Sequence, residues 1–314
     1  MTSEPITAEG HRTADRGTGG RKTADRRTGV RGLGQGRGWG LDRARLVVSH
    51  LLIYLVAAAF VSPLVYMIAT SLKPADEVFG SPPRLWGSVL RWANYRDALT
   101  FLPLGRFVLN GFLVAACGTL VVLTASSMSA YAFAKLHWRG RNGLFITFLA
   151  TLMIPQEVLV VPMFLLMRWI GWVDSYQALI FPWAFTAFGT FLLRQFFLTV
   201  PAEIGESARM DGAGEVRIFA QIMLPLVRPA LAVLAVFTFI NYWNSFLWPL
   251  IITNSVEQKA TIPLGLQLFF GQQGTQWNLV MAASVISMAP TTLLLIVLQK
   301  HLVRGIATSG LGGR

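Results

Sequence analysis

Apolar residues along this chain gather in six long stretches, near residues 46–70, 107–134, 143–167, 178–198, 226–252 and 278–299. A helix needs about 20 apolar residues to cross the hydrocarbon core of a bilayer, and these stretches are too long and too evenly apolar for the alternating strands of a membrane barrel. The pattern predicts an all-α, polytopic membrane protein with six transmembrane helices. Pro63, Pro155, Pro162, Pro182, Pro249 and Pro290 fall inside the stretches; a helical bundle shelters such residues by satisfying the carbonyls they free. Between the fourth and fifth stretches lies a segment of different character, residues 199–225. There Glu203, Glu206, Arg209, Asp211, Glu215 and Arg217 alternate with Ile204, Ala208, Met210, Ala213, Val216, Ile218, Phe219, Ile222 and Leu224 at near-helical spacing. This predicts one or two short amphipathic helices. Pro201 suits a first turn and Gly212 a left-handed residue that ends one helix, with a second expected to run to Leu224 and stop before Pro225.

Composition supports the membrane assignment, since 13% of the residues are charged against roughly 25% in soluble domains. A net charge of +12 would suit a nucleic-acid partner if it were spread over a folded surface, but residues 1–45 alone hold ten of the 27 Lys+Arg. That segment carries a tandem repeat, "HRTADRGTGG" then "RKTADRRTGV", followed by "RGLGQGRGWG". Nearly free of apolar residues, it is expected to be a disordered basic tail, either touching membrane lipid headgroups or standing as a solvated extension, with no nucleic acid bound. Its "GLGQG" follows no strand and makes no dinucleotide site, and its basic run is too long for a signal peptide. Residues 46–306 then form the membrane domain and 307–314 a short C-terminal tail. With the N-terminus in the cytoplasm, twenty of the Lys+Arg fall on the inner side and seven on the outer. The positive-inside rule therefore places both termini and residues 199–225 in the cytoplasm, and Trp169, Trp172 and Tyr176 at the outer interface.

The polar segment also carries a motif: Glu206, Ser207 and Ala208, three residues, Gly212, nine residues, then Ile222, Met223, Leu224 and Pro225. It resembles the EAA loop of binding-protein-dependent ABC importer permeases, Glu-Ala-Ala, three residues, Gly, nine residues, Ile, any residue, Leu, Pro. Ser207 replaces the first alanine of that pattern. "MDGA" at 210–213, "LPLVRPAL" at 224–231, "IPQEVLVVPMFLLM" at 154–167 and "FINYWNSFLWPL" at 239–250 are similar to carbohydrate importers of the maltose type and extend the resemblance over about residues 46–306. The resemblance implies a six-helix permease of the type I-like fold, in the plasma membrane of a bacterium, forming half of a pathway for a sugar or oligosaccharide. Its implied partners are a second permease subunit in a heterodimer, two ATPase subunits and an extracellular sugar-binding protein. No Gly-x4-Gly-Lys-Ser/Thr phosphate loop occurs in the chain, so the chain is not expected to be an enzyme or to bind a cofactor, and ATP and Mg belong on the partner ATPase. The implied ATPase-coupling residues are Glu206, Ser207, Ala208, Asp211, Gly212, Ala213, Ile222, Leu224 and Pro225. Among them Glu206 and the Ser207–Ala208 face make the contact, Asp211 and Gly212 set the turn, and Pro225 restarts the next span.

Polar residues inside the stretches are candidates for the substrate path. Gln156 and Glu157 lie between two prolines in the third, and Asn241, Asn244 and Ser245 in the fifth beside Tyr242, Trp243 and Trp248. Amides offer donors and acceptors to sugar hydroxyls, and aromatic rings suit the apolar faces of pyranoses; helix packing is the competing role for each. Gly111, Ala115, Gly118, Ser126 and Ala130 form a small-residue stripe suited to close packing, and Cys117 fits a small core position without a disulfide partner. His11, His50, His137 and His301 show no metal spacing. Alternatives stay open; an integral membrane enzyme would need a clustered nucleophile and base or a metal site at one face, and the sequence shows none. A proton-coupled carrier would need buried ionisable groups in several spans, where Glu157 alone is evident, and the pathway could also serve a non-sugar solute such as a glycerol phosphate.

Overall fold

The computed structural model describes residues 38–270 and 275–309, and every regular element among them is helical. The basic repeat, up to residue 37, and the end of the C-terminal tail, from residue 310, lie outside the described residues. The described residues divide into two units, one ending at residue 58 and the other starting at residue 59. Helix α1 (Gly38–Ser71) begins in the first unit, ahead of the expected start at 46, and its side chains from Leu46 to Phe60 are exposed, as suits a surface solvated by lipid.

In the second unit α1 continues through Pro63 and is followed by α2 (Ala93–Phe101) and the unbroken α3 (Leu104–Lys135). Next come α4 (Arg141–Ala150), α5 (Gln156–Trp169), α6 (Tyr176–Ile180) and α7 (Ala187–Thr199). The polar segment forms α8 (Ala202–Met210), α9 (Glu215–Arg217), a π-helical turn Ile218–Met223 and α10 (Leu224–Leu226). The chain ends with α11 (Arg228–Trp243), α12 (Leu247–Ile252), α13 (Val256–Lys259), α14 (Ile262–Gln267) and α15 (Trp277–Ser309).

Helix α3 packs against α7 and α11 through the expected small-residue stripe. Ala115 and Ala130 are fully buried, and a Cβ on Gly118 would come within 2.6 Å of the Tyr242 ring. Facing it on α7, a Cβ on Gly189 would lie 2.5 Å from Ser126 Oγ. In lipid, where apolar burial offers little between helices, such close backbone approach supplies the dispersion contacts that hold them together. Cys117 departs from its expected core position and is exposed, because it projects from the side of α3 away from the stripe. Two apolar clusters result. The larger joins α3, α6, α11, α14 and α15, and the smaller gathers Ala130, Tyr131, Leu193, Phe197, Ala208, Ile218 and Met223 where α3 and α7 meet the polar segment.

The six expected spans are not six straight helices. Among the described residues, three helices are long and apolar enough to cross a membrane: Arg45–Ser71, Leu104–Lys135 and Trp277–Val297, the last through Pro290. Two bent pairs raise the number to as many as five: Arg141–Met153 with Gln156–Trp169 at 101°, and Glu215–Leu226 with Arg228–Trp243 at 80°. The expected third span breaks at Ile154, held in extended backbone by the proline after it. The fourth is non-helical from Phe181 to Thr186 around Pro182, and the fifth opens between Asn244 and Phe246. The second helix of the polar segment also fails to stop before Pro225. Leu224 N–H bonds Phe219 O in a π turn, whose wider ring admits the proline, and the chain breaks instead at Val227, where Pro229 excludes a continuous helix.

Candidate functional site

The polar segment folds as two short helices around Gly212, the turn expected from its sequence. Gly212 has φ +80°, its N–H bonds Arg209 O at 3.0 Å, and Ala213 N–H bonds Ala208 O at 3.0 Å. This pair of bonds is a Schellman cap, which closes α8 and requires a left-handed residue at Gly212. Asp211 is the C-cap of α8, and Pro201 sits just before its first residue as the N-cap. The motif residues divide by exposure. Glu206, Ser207, Asp211 and Gly212 are exposed, Ala213, Ile222, Leu224 and Pro225 are half-buried, and Ala208 is 8% exposed within the smaller cluster. Ala208 therefore faces the chain's own bundle rather than an outer contact, because Gly205 and Ala208 lie on the stripe of α8 that meets Met223. Two large apolar side chains flank the turn instead, Met210 at 88% and Val216 at 81% exposure. They were visible in the sequence as apolar positions, but their direction depends on the turn.

Glu215 accepts a hydrogen bond from Arg209 Nε at 2.6 Å and another from Tyr131 Oη at 2.7 Å. Arg209 and Tyr131 together hold its carboxyl below the usual range, and the bond to Glu215 pushes Arg209 upward. Lys135 Nζ donates to Val200 O at 2.6 Å, fastening the end of α3 to the start of the segment.

A second feature is a cavity of about 380 Å³ among the helix breaks. Gln156 and Glu157, Asn241 and Ser245 line it together; Asn244 is exposed and takes no part. Residues that the sequence pattern did not single out complete the wall, chiefly Trp183, Thr186 and Thr238. The breaks explain the assembly. Gln156 begins α5, Thr186 is the N-cap of α7, and Ser245 lies in the gap before α12. Tyr242 Oη donates to Ile180 O at 2.7 Å and Trp248 Nε1 to Ala178 O at 2.8 Å, so both polar ends are engaged on α6 while the side chains form part of the wall. Trp183 meets Trp248 edge to face at 5.6 Å. Trp243 faces elsewhere, toward Gly111 and Ser287 O. Glu157 occupies the first turn of α5, where the helix dipole favours a carboxylate, and it is the one carboxyl side chain in the lining.

At another edge, Asp174 joins the α5–α6 and α12–α13 connections. Its carboxylate accepts from Asn254 N and Ser255 N at 3.1 Å, from Ser255 Oγ at 2.6 Å and from Lys259 Nζ at 3.0 Å. Lys259 Nζ also donates to the Asp174 carbonyl. Burial alone would raise this carboxyl, but the bonds from Ser255, Lys259 and Asn254 hold it down at about 2. Tyr176, expected at the interface, turns inward and donates to Asn110 Oδ1 at 2.8 Å, whereas Trp169 is 84% exposed.

The chain is 35% identical over 277 residues to the sn-glycerol-3-phosphate transport system permease protein UgpE of Pectobacterium atrosepticum, covering 86% of this chain and 97% of that protein. A UgpE of Yersinia pestis is 36% identical over 279 residues, with the same coverage. Among solved structures, a chain of a bacterial ABC transporter that imports the acidic polysaccharide alginate superposes with a TM-score of 0.73 at 25% identity, over 82% of this chain and 96% of that one. The family described as binding-protein-dependent transport system inner membrane component matches residues 122–308. The helical fold, the motif and this match agree: the chain belongs to that family, the membrane-spanning permeases of ABC importers.

Proposed function

We propose that the chain forms half of the translocation pathway for a neutral sugar or oligosaccharide, paired with a second permease, fed by an extracellular binding protein and driven by separate ATPase subunits that carry ATP and Mg. The observation that carries the substrate class is the cavity wall, which joins Trp183 and Trp248 to the amides and hydroxyl of Gln156, Asn241 and Ser245 and holds no Lys or Arg. Aromatic faces with amides beside them match the alternating apolar and hydroxyl faces of a pyranose. Six crossings result if each broken stretch counts as one span, with both termini and residues 199–225 on the cytoplasmic side. The exposed rim of that segment, Glu206, Ser207, Met210, Asp211 and Val216, docks on the ATPase, and closure of the ATPase pair moves it.

A phosphate-bearing solute is the second reading, favoured by the N-termini of α5 and α7, which begin at the cavity wall and suit anions. Glu157 already occupies the first of these positions. The assay is ATPase stimulation of the reconstituted importer by the binding protein loaded with neutral oligosaccharides or with sn-glycerol 3-phosphate. Stimulation by the oligosaccharide alone is expected. Stimulation by the phosphate ester alone, with a further gain in Glu157→Gln, would replace the first reading by the second.

A further inference from the structure

Glu215 stands where three elements meet. One carboxylate oxygen holds Arg209 in the last turn of α8, and the other holds the Tyr131 hydroxyl on α3, while its own backbone opens α9. The carboxylate thus bridges the Gly212 turn and the gap to the bundle at once. We propose that Glu215 is a positioning residue that converts displacement of the 199–225 segment into displacement of α3, by locking α8, α9 and Tyr131 into one body. This rests on the coupling role proposed for that segment.

Stability does not account for the arrangement. The Arg209 and Glu215 side chains are 40% and 45% exposed, and ion pairs so placed contribute little to folding. The apolar contacts of Ala208, Ile218 and Met223 already hold the segment down. Those contacts resist separation but are indifferent to small rotations, whereas hydrogen bonds weaken steeply with angle and so fix orientation. Tyr131 is fit to receive that constraint. It is 5% exposed, and its ring lies 5.9 Å from that of Phe197 and 5.2 Å from that of Phe219, so the hydroxyl cannot swing aside without repacking.

From Tyr131 the constraint reaches the cavity along a single helix. Val122, in the cavity wall, lies about 14 Å further along α3 at 1.5 Å per residue. Helix α3 has no break over this distance, whereas α5, α7 and α12 all start at one. A push on α9 therefore arrives at the cavity as movement of α3.

The test compares Glu215→Gln, Tyr131→Phe and the exchanged pair Arg209→Glu/Glu215→Arg in the complete importer, reconstituted in vesicles with its ATPase and binding protein. Uptake per ATP hydrolysed is expected to fall about five-fold in each single variant, the scale of one partly exposed charge-assisted hydrogen bond. The amount of ATPase that co-purifies should stay at the wild-type level, and the exchanged pair should recover at least part of the ratio. Tyr131→Phe with Glu215→Gln should be no worse than either alone, since both cut the same link. Wild-type ratios in Glu215→Gln, or a loss proportional to lost assembly, would overturn the proposal while leaving the coupling segment in place. Failure of the wild-type chain to retain any ATPase would overturn both together.

Discussion

Replacement of Gly212 separates conformational strain from partner contact. At φ +80° a side chain costs about 1 kcal/mol or somewhat more, and a Cβ built there meets no atom within 4 Å. Within this chain the cost is therefore entirely in the backbone. Its upper limit is set by the alternative of opening the cap, which gives up the bonds from Gly212 and Ala213 to Arg209 and Ala208, together about 1–3 kcal/mol. Asn places a Cβ at the same point as Ala but tolerates the left-handed conformation better, and Val adds branching that tolerates it worse. If strain governs, uptake by the reconstituted importer should rank Gly, Asn, Ala, Val, with Ala lower than Gly by about five-fold for each 1 kcal/mol. If the ATPase packs against the turn, Asn and Ala should be equally poor and both should release the ATPase on co-purification. Full uptake and full association in Gly212→Val would refute the assignment of this turn to coupling.

Met210→Glu and Val216→Asp should each weaken ATPase association with no change in melting temperature, since both side chains are exposed; retained association would move the docking surface elsewhere. Gly118→Leu should lower the thermal stability of the detergent-solubilised chain by about 1–3 kcal/mol, because Tyr242 must leave its place and its bond to Ile180 O; an unchanged melting temperature would contradict the close packing. Asp174→Asn should cost up to about 2 kcal/mol at neutral pH. Held at about 2 in the folded chain, below its ordinary 3.8, this carboxyl stabilises the fold above the ordinary value and loses that effect as pH falls toward 2. The melting gap between wild type and Asp174→Asn should therefore narrow between pH 7 and pH 3, and a constant gap would assign the effect to something other than charge.

The motif and the three unbroken helices could be read in the sequence because each is a local pattern: the glycine and proline spacing of 206–225, and long apolar runs. The breaks could not be read in the same way. Ile154, Phe181 and Trp183 are as apolar as the helices they interrupt, so hydropathy averages across them, and Pro155 and Pro182 look like Pro63 and Pro290, which leave their helices continuous. Only tertiary packing decides between a sheltered proline and a broken span. The same limit applies to Ala208, whose place in the motif says nothing about which face of α8 meets Met223. It applies equally to Asp174, whose four hydrogen-bond partners come from Asn254, Ser255 and Lys259.

The uncapped starts of α5, α7 and α12 carry a consequence for leakage. Pro155, Thr186 and Phe246 precede these helices without a side-chain cap, so their first amides need partners that hydrocarbon cannot give. Water or solute oxygens must supply them whenever the cavity is neither filled nor collapsed. A permanently hydrated chamber cannot itself be the permeability barrier. The seal against protons and small ions therefore has to form on either side of it and alternate between the two, and these amides can pass from water to solute hydroxyls without ever standing bare.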